Sequence, residues 1–153
     1  MEVRSMTVRD IESVADVEEE CFPRPWSEDA LYRDYAQNPS SRFFVAEVDG
    51  EVQGHVGLWQ RRDHVHVTTL AVRASHRRQG LGQALLEAVY EEFPDMDITL
   101  EVRKSNEDAQ EFYRSAGFSV TGLRPDYYTD NGEDALVMSR NADSREAIGD
   151  GRS

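Results

Sequence analysis

Leu70-Ala71-Val72, followed by Arg77-Arg78-Gln79-Gly80-Leu81-Gly82-Gln83, is the stretch that decides the fold. A strand over His64 to Val72 leads into it. Leu81, Ala84, Leu85, Ala88 and Val89 lead out of it as a stripe of period 3.6, a helix ended by Pro94. Glycines at such a junction let the backbone approach a ligand closely. The first N–H groups of the helix are donors without partners at the positive end of its dipole. Together they make a cradle for phosphate or diphosphate. No Gly-Lys-Ser/Thr follows, so it is not a P-loop, and Leu85 stands where a dinucleotide fingerprint needs its third glycine. The alternative is a plain strand-to-helix turn.

Charge favours the cradle. The chain of 153 residues carries 30 acids against 17 bases, a net charge of −13. Yet no acid lies between Asp63 and Glu87, where about 4.5 would be expected at the chain's average frequency. Arg73, His76, Arg77 and Arg78 fall in that window, which reads as a site for an anion. The overall charge opposes binding to nucleic acid or an anionic membrane. Lys104 is the only lysine, and an acidic, lysine-poor surface suggests adaptation to high salt.

Working outward, Val3 to Val8 reads as a strand, and Ile11, Val14 and Val17 as a helix capped by Asp10 and fading at Cys21-Phe22-Pro23. Ser27 opens a second helix through Ala30, Leu31 and Tyr35, stopped at Asn38-Pro39. Arg42 to Val48 and Val52 to Trp59 flank Asp49-Gly50, a hairpin signal. Ile98 to Val102 reads as a short buried strand, and Ala109 to Ala116 as a helix closed by Gly117. Phe118 to Leu123 and Ala135 to Met138 complete the strands. The order β-α-α-β-β-β-α-β-α-β-β predicts an α/β (mixed α+β) fold, a twisted mixed sheet of about seven strands with helices on both faces. Residues 1–140 form one expected domain, and Asn141 to Ser153 an expected disordered tail. One cysteine, Cys21, excludes an intramolecular disulfide and a Cys-rich zinc site. His64 and His66 share a strand face without a third ligand, so no metal is expected. With no apolar leader and no run of membrane-spanning length, the expectation is a soluble cytoplasmic protein, a monomer or weak dimer.

Arg77-x-x-Gly80-x-Gly82 after Leu70-Ala71-Val72 resembles the acyl-CoA motif of the GNAT acetyltransferase superfamily. Leu100-Glu101-Val102-Arg103-Lys104-Ser105-Asn106 and Phe112-Tyr113-Arg114-Ser115-Ala116-Gly117-Phe118 are similar to segments of RimI-type protein N-terminal acetyltransferases. So are Phe22-Pro23 with Pro25-Trp26-Ser27, and Tyr127-Tyr128 with Gly132-Glu133-Asp134-Ala135. The resemblance implies the GNAT fold, with acetyl-CoA as co-substrate and a protein N-terminus as acceptor, in bacteria that of a small-subunit ribosomal protein. Related archaeal Ard-type enzymes act on many N-termini. It implies that the amides of Gln79, Gly80, Leu81, Gly82 and Gln83 hold the CoA diphosphate, with Arg77 and Arg78 nearby. Leu70, Ala71 and Val72 would pair with pantetheine, and Asn106 and Tyr113 would contact its thioester arm. Glu101 matches the general base and Tyr113 the general acid, while Trp26, Tyr127 and Tyr128 would line the acceptor site. His66 aligns with a strand histidine thought to serve Ard-like enzymes as base. Arg24 stands where those enzymes carry a glutamate, and Arg24-Pro25 stretches the first inter-helix loop.

The chemistry is consistent with these residue types. An α-amine, of pKa about 7.7–8.0, is roughly a tenth neutral at pH 7, whereas a lysine at about 10.4 is neutral in fewer than about one molecule in a thousand. A carboxylate acting through water suffices for the former if burial raises its pKa, and His66 is the competing base. A tyrosine is a weaker acid than a thiol, so stabilising the departing sulfur suits Tyr113 better than full proton transfer. With no cysteine in the cofactor segment, direct attack in a ternary complex is expected. Alternatives are acetylation of a small amine or a lysine side chain, and a non-catalytic acyl-CoA-binding regulatory module. Residue by residue, Glu101 could be a surface carboxylate, Tyr113 and Trp26 core residues, and Asn106 a cap.

Overall fold

The computed structural model describes residues 1–142. Seven strands are hydrogen-bonded in the order β1-β2-β3-β4-β5-β7-β6, with four α-helices between them. The strands are β1 Glu2–Ser5, β2 Ser41–Val48, β3 Glu51–Gln60, β4 His64–Val72, β5 Asp97–Arg103, β6 Ser119–Arg124 and β7 Ala135–Arg140. The helices are α1 Ile11–Cys21, α2 Glu28–Gln37, α3 Leu81–Glu92 and α4 Glu107–Ser115. The expected mixed sheet is present. The chain divides into two compact units, one of Met1–Arg61 with Val67–Phe93, the other of Arg62–His66 with Pro94 onward. The tail expected from Asn141 lies outside the described residues after Ala142, whose amide donates to Asp97 at 2.9 Å. No helix among the described residues is long and apolar enough to cross a membrane.

In the first unit, the turn Asp49-Gly50 has φ of +52° and +82°, the two positive values a two-residue type I′ hairpin requires. It pairs Val48 with Glu51 and Glu47 with Val52, and a bulge between Ala46 and Glu47 then shifts the β2–β3 register by one, setting Phe43 opposite Gly57 and Val45 opposite His55. Successive residues of β3 face opposite ways. His55 meets Glu18 of α1, whereas a Cβ on Gly54 would lie 3.5 Å from Leu85 of α3, so the two helices cover opposite faces of the strand. Met6, Ile11, Val14, Ala15, Leu31, Phe43, Val45 and Val52 form the core under α1 and α2.

The first strand is shorter than Val3 to Val8. It stops at Ser5, and Val8–Asp10 is a 3-10 turn. The reason is Asp10. It does occupy the N-cap position of α1, but its side chain does not cap that helix. It reaches back to accept from the Thr7 amide at 2.8 Å and from Arg4 at 2.8 and 3.0 Å, which winds Thr7–Asp10 into a turn. Those Arg4 hydrogen bonds, reinforced by Thr7, overcome burial and hold the Asp10 carboxyl down at about 2, against 3.8. A carboxyl lowered on folding stabilises fully above its unfolded value and loses that contribution as pH falls through the folded one. Asp10→Asn is therefore expected to cost about 2 kcal/mol at pH 7. In urea unfolding, the gap from the parent protein should shrink steadily between pH 4 and pH 2.

In the second unit, β4 and β5 run parallel with His64 opposite Asp97 and His66 opposite Thr99. β5 is not fully buried as expected. Ile98, Leu100 and Val102 face the core, while Thr99, Glu101 and Arg103 form a half-buried polar row on the other side. β7 lies between β5 and β6 and pairs antiparallel with both. Helix α4 ends as the Gly117 signal predicts: φ at Gly117 is +96°, the Phe118 amide bonds the Tyr113 carbonyl at 2.9 Å, and the Gly117 amide bonds that of Arg114 at 3.0 Å.

Candidate active site

The cradle forms where β4 ends, in the first unit. After Ala74–His76, a single 3-10 turn, the chain enters α3 through Arg78 at φ +63° and Gly80 at φ +84°. Gly80 is the N-cap and offers no side-chain acceptor. The first backbone bond into the helix is from Ala84 to the Gly80 carbonyl at 3.0 Å, which leaves the amides of Leu81, Gly82 and Gln83 without helical acceptors. No acid occupies the first turn of α3, and a Cβ on Gly80 would meet nothing within 4 Å. The glycine is demanded by backbone conformation, and its outer side is open to a ligand. A diphosphate fits this donor set.

Two details differ from the sequence picture. The window without acids in sequence has one in space: Glu20 of α1 bonds Arg73 at 2.9 Å and the Ala74 amide at 2.8 Å, bracing the corner after β4. Arg77 turns back along the strand, donating to the Val72 carbonyl at 3.0 Å and to the Cys21 sulfur at 3.5 Å, while Cys21 itself donates to the same carbonyl at 3.4 Å. Arg78 is exposed. Leu70, Ala71 and Val72 are the last residues of β4, with Ala71 buried and its two neighbours half-buried.

In the second unit, the two rival bases form one pair. His66 Nε2 lies 2.9 Å from Glu101 Oε1, and His66 Nδ1 lies 2.9 Å from Thr99 Oγ1. Arg124 of β6 donates to Glu101 Oε2 at 3.1 Å. The Glu101 side chain is 11% exposed, so it is not a surface carboxylate. Burial pushes its carboxyl up, but the hydrogen bond and charge of His66, joined by Arg124, pull it below the ordinary carboxylate range. The raised pKa required of a carboxylate acting alone is thus absent. Glu101 stays ionised at neutral pH and partners an imidazole whose two nitrogens both face atoms able to accept a hydrogen bond. That imidazole can carry a second proton with both N–H groups satisfied.

Tyr113 is buried on α4, edge-on to Phe112 and Phe118 at 5.2 and 5.6 Å between centroids. Asn106 caps α4, its Oδ1 accepting from the Ala109 amide at 3.1 Å. Tyr127 is exposed and packs edge-on to Tyr128, whose hydroxyl burial pushes up to about 12. Arg103, which the sequence did not single out, holds this loop: it bonds Asp130 at 3.1 and 2.9 Å and stacks 4.0 Å over the Tyr128 ring. Trp26, in the first unit, packs against the α1–α2 core and borders a shallow groove along α2.

A further buried cluster of the first unit was also missed. Glu18, 1% exposed, accepts from the Trp26 amide at 3.1 Å through Oε1. Its Oε2 accepts from Thr69 at 2.5 Å and from His55 Nε2 at 2.7 Å. Burial raises the Glu18 carboxyl, but His55, Thr69 and the Trp26 amide outweigh it and hold it below the ordinary range. A signal existed: Glu18 stands four residues after Val14 and seven after Ile11, a carboxylate on the apolar stripe.

The fold and the helix-mouth cradle define an acyltransferase scaffold, and the chain belongs to the acetyltransferase (GNAT) family, whose family model matches residues 11–118. It is 39% identical over 139 residues to a putative ribosomal protein bS18-alanine N-acetyltransferase of Bacillus subtilis, covering 89% of this chain and 92% of that one. The crystal structure of the ribosomal-protein-S18-alanine N-acetyltransferase from Escherichia coli superposes with a TM-score of 0.82 at 30% identity, over 91% of this chain and 92% of the other. Ard1 from Thermoplasma volcanium gives 0.81 at 30% identity, over 91% and 95%. The resemblance to RimI-type and Ard-type enzymes therefore spans most of the chain.

Proposed function

We propose that this protein transfers the acetyl group of acetyl-CoA to the α-amino group of a protein N-terminus, a ribosomal protein being the acceptor its relatives suggest. Acetyl-CoA supplies an activated thioester carbonyl. The amides of Gln79 to Gln83 would hold its diphosphate, Leu70 to Val72 would pair with its pantetheine amides, and Arg77 and Arg78 would lie nearby. Asn106, with its side-chain oxygen spent on its cap, has its amide nitrogen to offer the thioester arm. Tyr127, Tyr128 and Trp26 would line the acceptor side.

The observation that carries the mechanism is the Glu101–His66–Thr99 chain of hydrogen bonds. The amine nitrogen forms its bond to the acetyl carbon, the carbon–sulfur bond breaks, and the amine's proton leaves through water to the Glu101–His66 pair. The two share one hydrogen bond, so the base belongs to both residues. Thr99 Oγ1 accepts when Nδ1 carries hydrogen. An α-amine, already partly neutral at pH 7, needs little help from a base. Tyr113 would stabilise the departing sulfur by donating a hydrogen bond.

Two measurements test this reading. Acetyl-CoA at about 100 times its Kd should stabilise the fold by about 2.7 kcal/mol, raising Tm by about 5–10 °C. An unchanged Tm at millimolar acetyl-CoA overturns it. A peptide with a free N-terminus and no lysine should gain one acetyl group by mass spectrometry. An N-blocked peptide with an internal lysine should gain none, and the reverse pattern would assign the enzyme to side-chain amines.

A further inference from the structure

The loop between α1 and α2, Phe22 to Trp26, is poor in donors. Pro23 and Pro25 have no N–H, and Pro23, Arg24 and Pro25 are exposed. Its two ends are tied to one residue. The Phe22 amide donates to the backbone carbonyl of Glu18 at 2.9 Å, and the Trp26 amide donates to the Glu18 side chain at 3.1 Å. The other carboxylate oxygen is held by His55 on β3 and by Thr69, the residue before the Leu70–Val72 segment.

We infer that Glu18 is a positioning residue for acceptor binding, holding the Phe22–Trp26 loop at a fixed place against β3 and β4. This rests on the reading in which that loop borders the acceptor site.

The cluster is not a second proton-transfer pair. His55 Nδ1 is buried and has no hydrogen-bond partner among the described residues. A hydrogen on Nδ1 would be a buried donor without an acceptor, so the ring places its hydrogen on Nε2 and donates it to Glu18. His66 differs in having a partner for each nitrogen. Nor is bulk stability a sufficient reason for Glu18, since apolar side chains of similar volume commonly replace buried ionic groups without loss. What the carboxylate supplies is three directed acceptances, from a loop amide and from two strands. A carboxamide cannot reproduce them. With its oxygen toward His55 and Thr69, its NH2 opposes the Trp26 N–H. With its oxygen toward Trp26, its NH2 forces His55 into the tautomer that buries Nδ1–H without an acceptor.

The test is steady-state kinetics of Glu18→Gln and Trp26→Ala with a free-N-terminus peptide, alongside amide hydrogen exchange. Glu18→Gln should raise the peptide KM at least about fivefold, with kcat and acetyl-CoA affinity within about twofold, and speed exchange of the Trp26 amide. A residue that only supported the fold would lower Tm and leave KM unchanged in the folded fraction. If Trp26→Ala raises KM and Glu18→Gln does not, the inference is overturned while the acceptor reading stands. If Trp26→Ala leaves KM unchanged, the acceptor reading fails and the inference falls with it. Should Glu18→Gln not fold, the near-isosteric Thr69→Val removes one donor and must shift KM in the same direction; an unchanged KM there overturns the inference.

Discussion

Glu101→Gln is expected to lower kcat with a free-N-terminus peptide about 100-fold at pH 6.5, at the lower end of what a positioned base contributes. The defect should narrow as pH rises to 9. The reason lies in the acceptor: as pH passes the α-amine's pKa, near 7.7–8.0, most of the amine arrives neutral and less is asked of the enzyme. Glu101 itself adds no inflection in this range. Burial raises its carboxyl, but His66 and Arg124 pull it below the ordinary value, so it is ionised throughout. The carboxamide removes the negative charge facing His66 Nε2, yet keeps nearly the same shape. The acetyl-CoA thermal shift should therefore survive. Full rate at pH 6.5 would remove Glu101 from the mechanism. A 100-fold loss that stays constant to pH 9 would make it an orienting group for His66 or Arg124 instead of a base.

What could be read from the sequence was local. The Asp49-Gly50 turn, the Gly117 helix end and the Gly80 junction are each decided within four or five residues by backbone conformations that few side chains tolerate, and the Ser27 helix start by a hydroxyl that accepts from the Ala30 amide. Asp10 shows where local reasoning stops: the same residue type caps helices and closes turns, and Arg4 tipped the choice. The pairing of His66 with Glu101 was invisible because the two are 35 positions apart. Each was a candidate base alone, and only the parallel register, which sets His66 opposite Thr99, brings them together. The same holds for Glu18 with His55, for Glu20 with Arg73 and Ala74, and for the place of β7 between β5 and β6. Non-local pairings carry no periodic signature of their own. The condition set for Glu101 acting alone, a carboxyl raised by burial, is not met because its partners outweigh burial.

Gly57→Ala should be the most damaging single-methyl change in the first unit, costing about 3 kcal/mol in urea or thermal unfolding, the upper part of the range for overpacked cores. The added Cβ would sit 2.6 Å from Phe43 Cε2, 3.0 Å from Cδ2 and 3.2 Å from Cζ. The ring cannot swing away. Phe43 is directly opposite Gly57 across the β2–β3 pair, is 3% exposed, and shares its core with Val14 and Leu31 of the two helices above. Neither can the backbone give easily, because His55, two residues away on the same face, is held by Glu18. The cost is steric, so it should be relieved by shrinking the partner. Phe43→Leu alone loses packing, but Gly57→Ala with Phe43→Leu should be less destabilised than the sum of the two, with a coupling of at least about 1 kcal/mol. Strict additivity would place the strain elsewhere. A glycine in mid-strand reads in sequence as a weak point; here it is the space in which an aromatic ring lies across the strand, under the helix that carries Glu18.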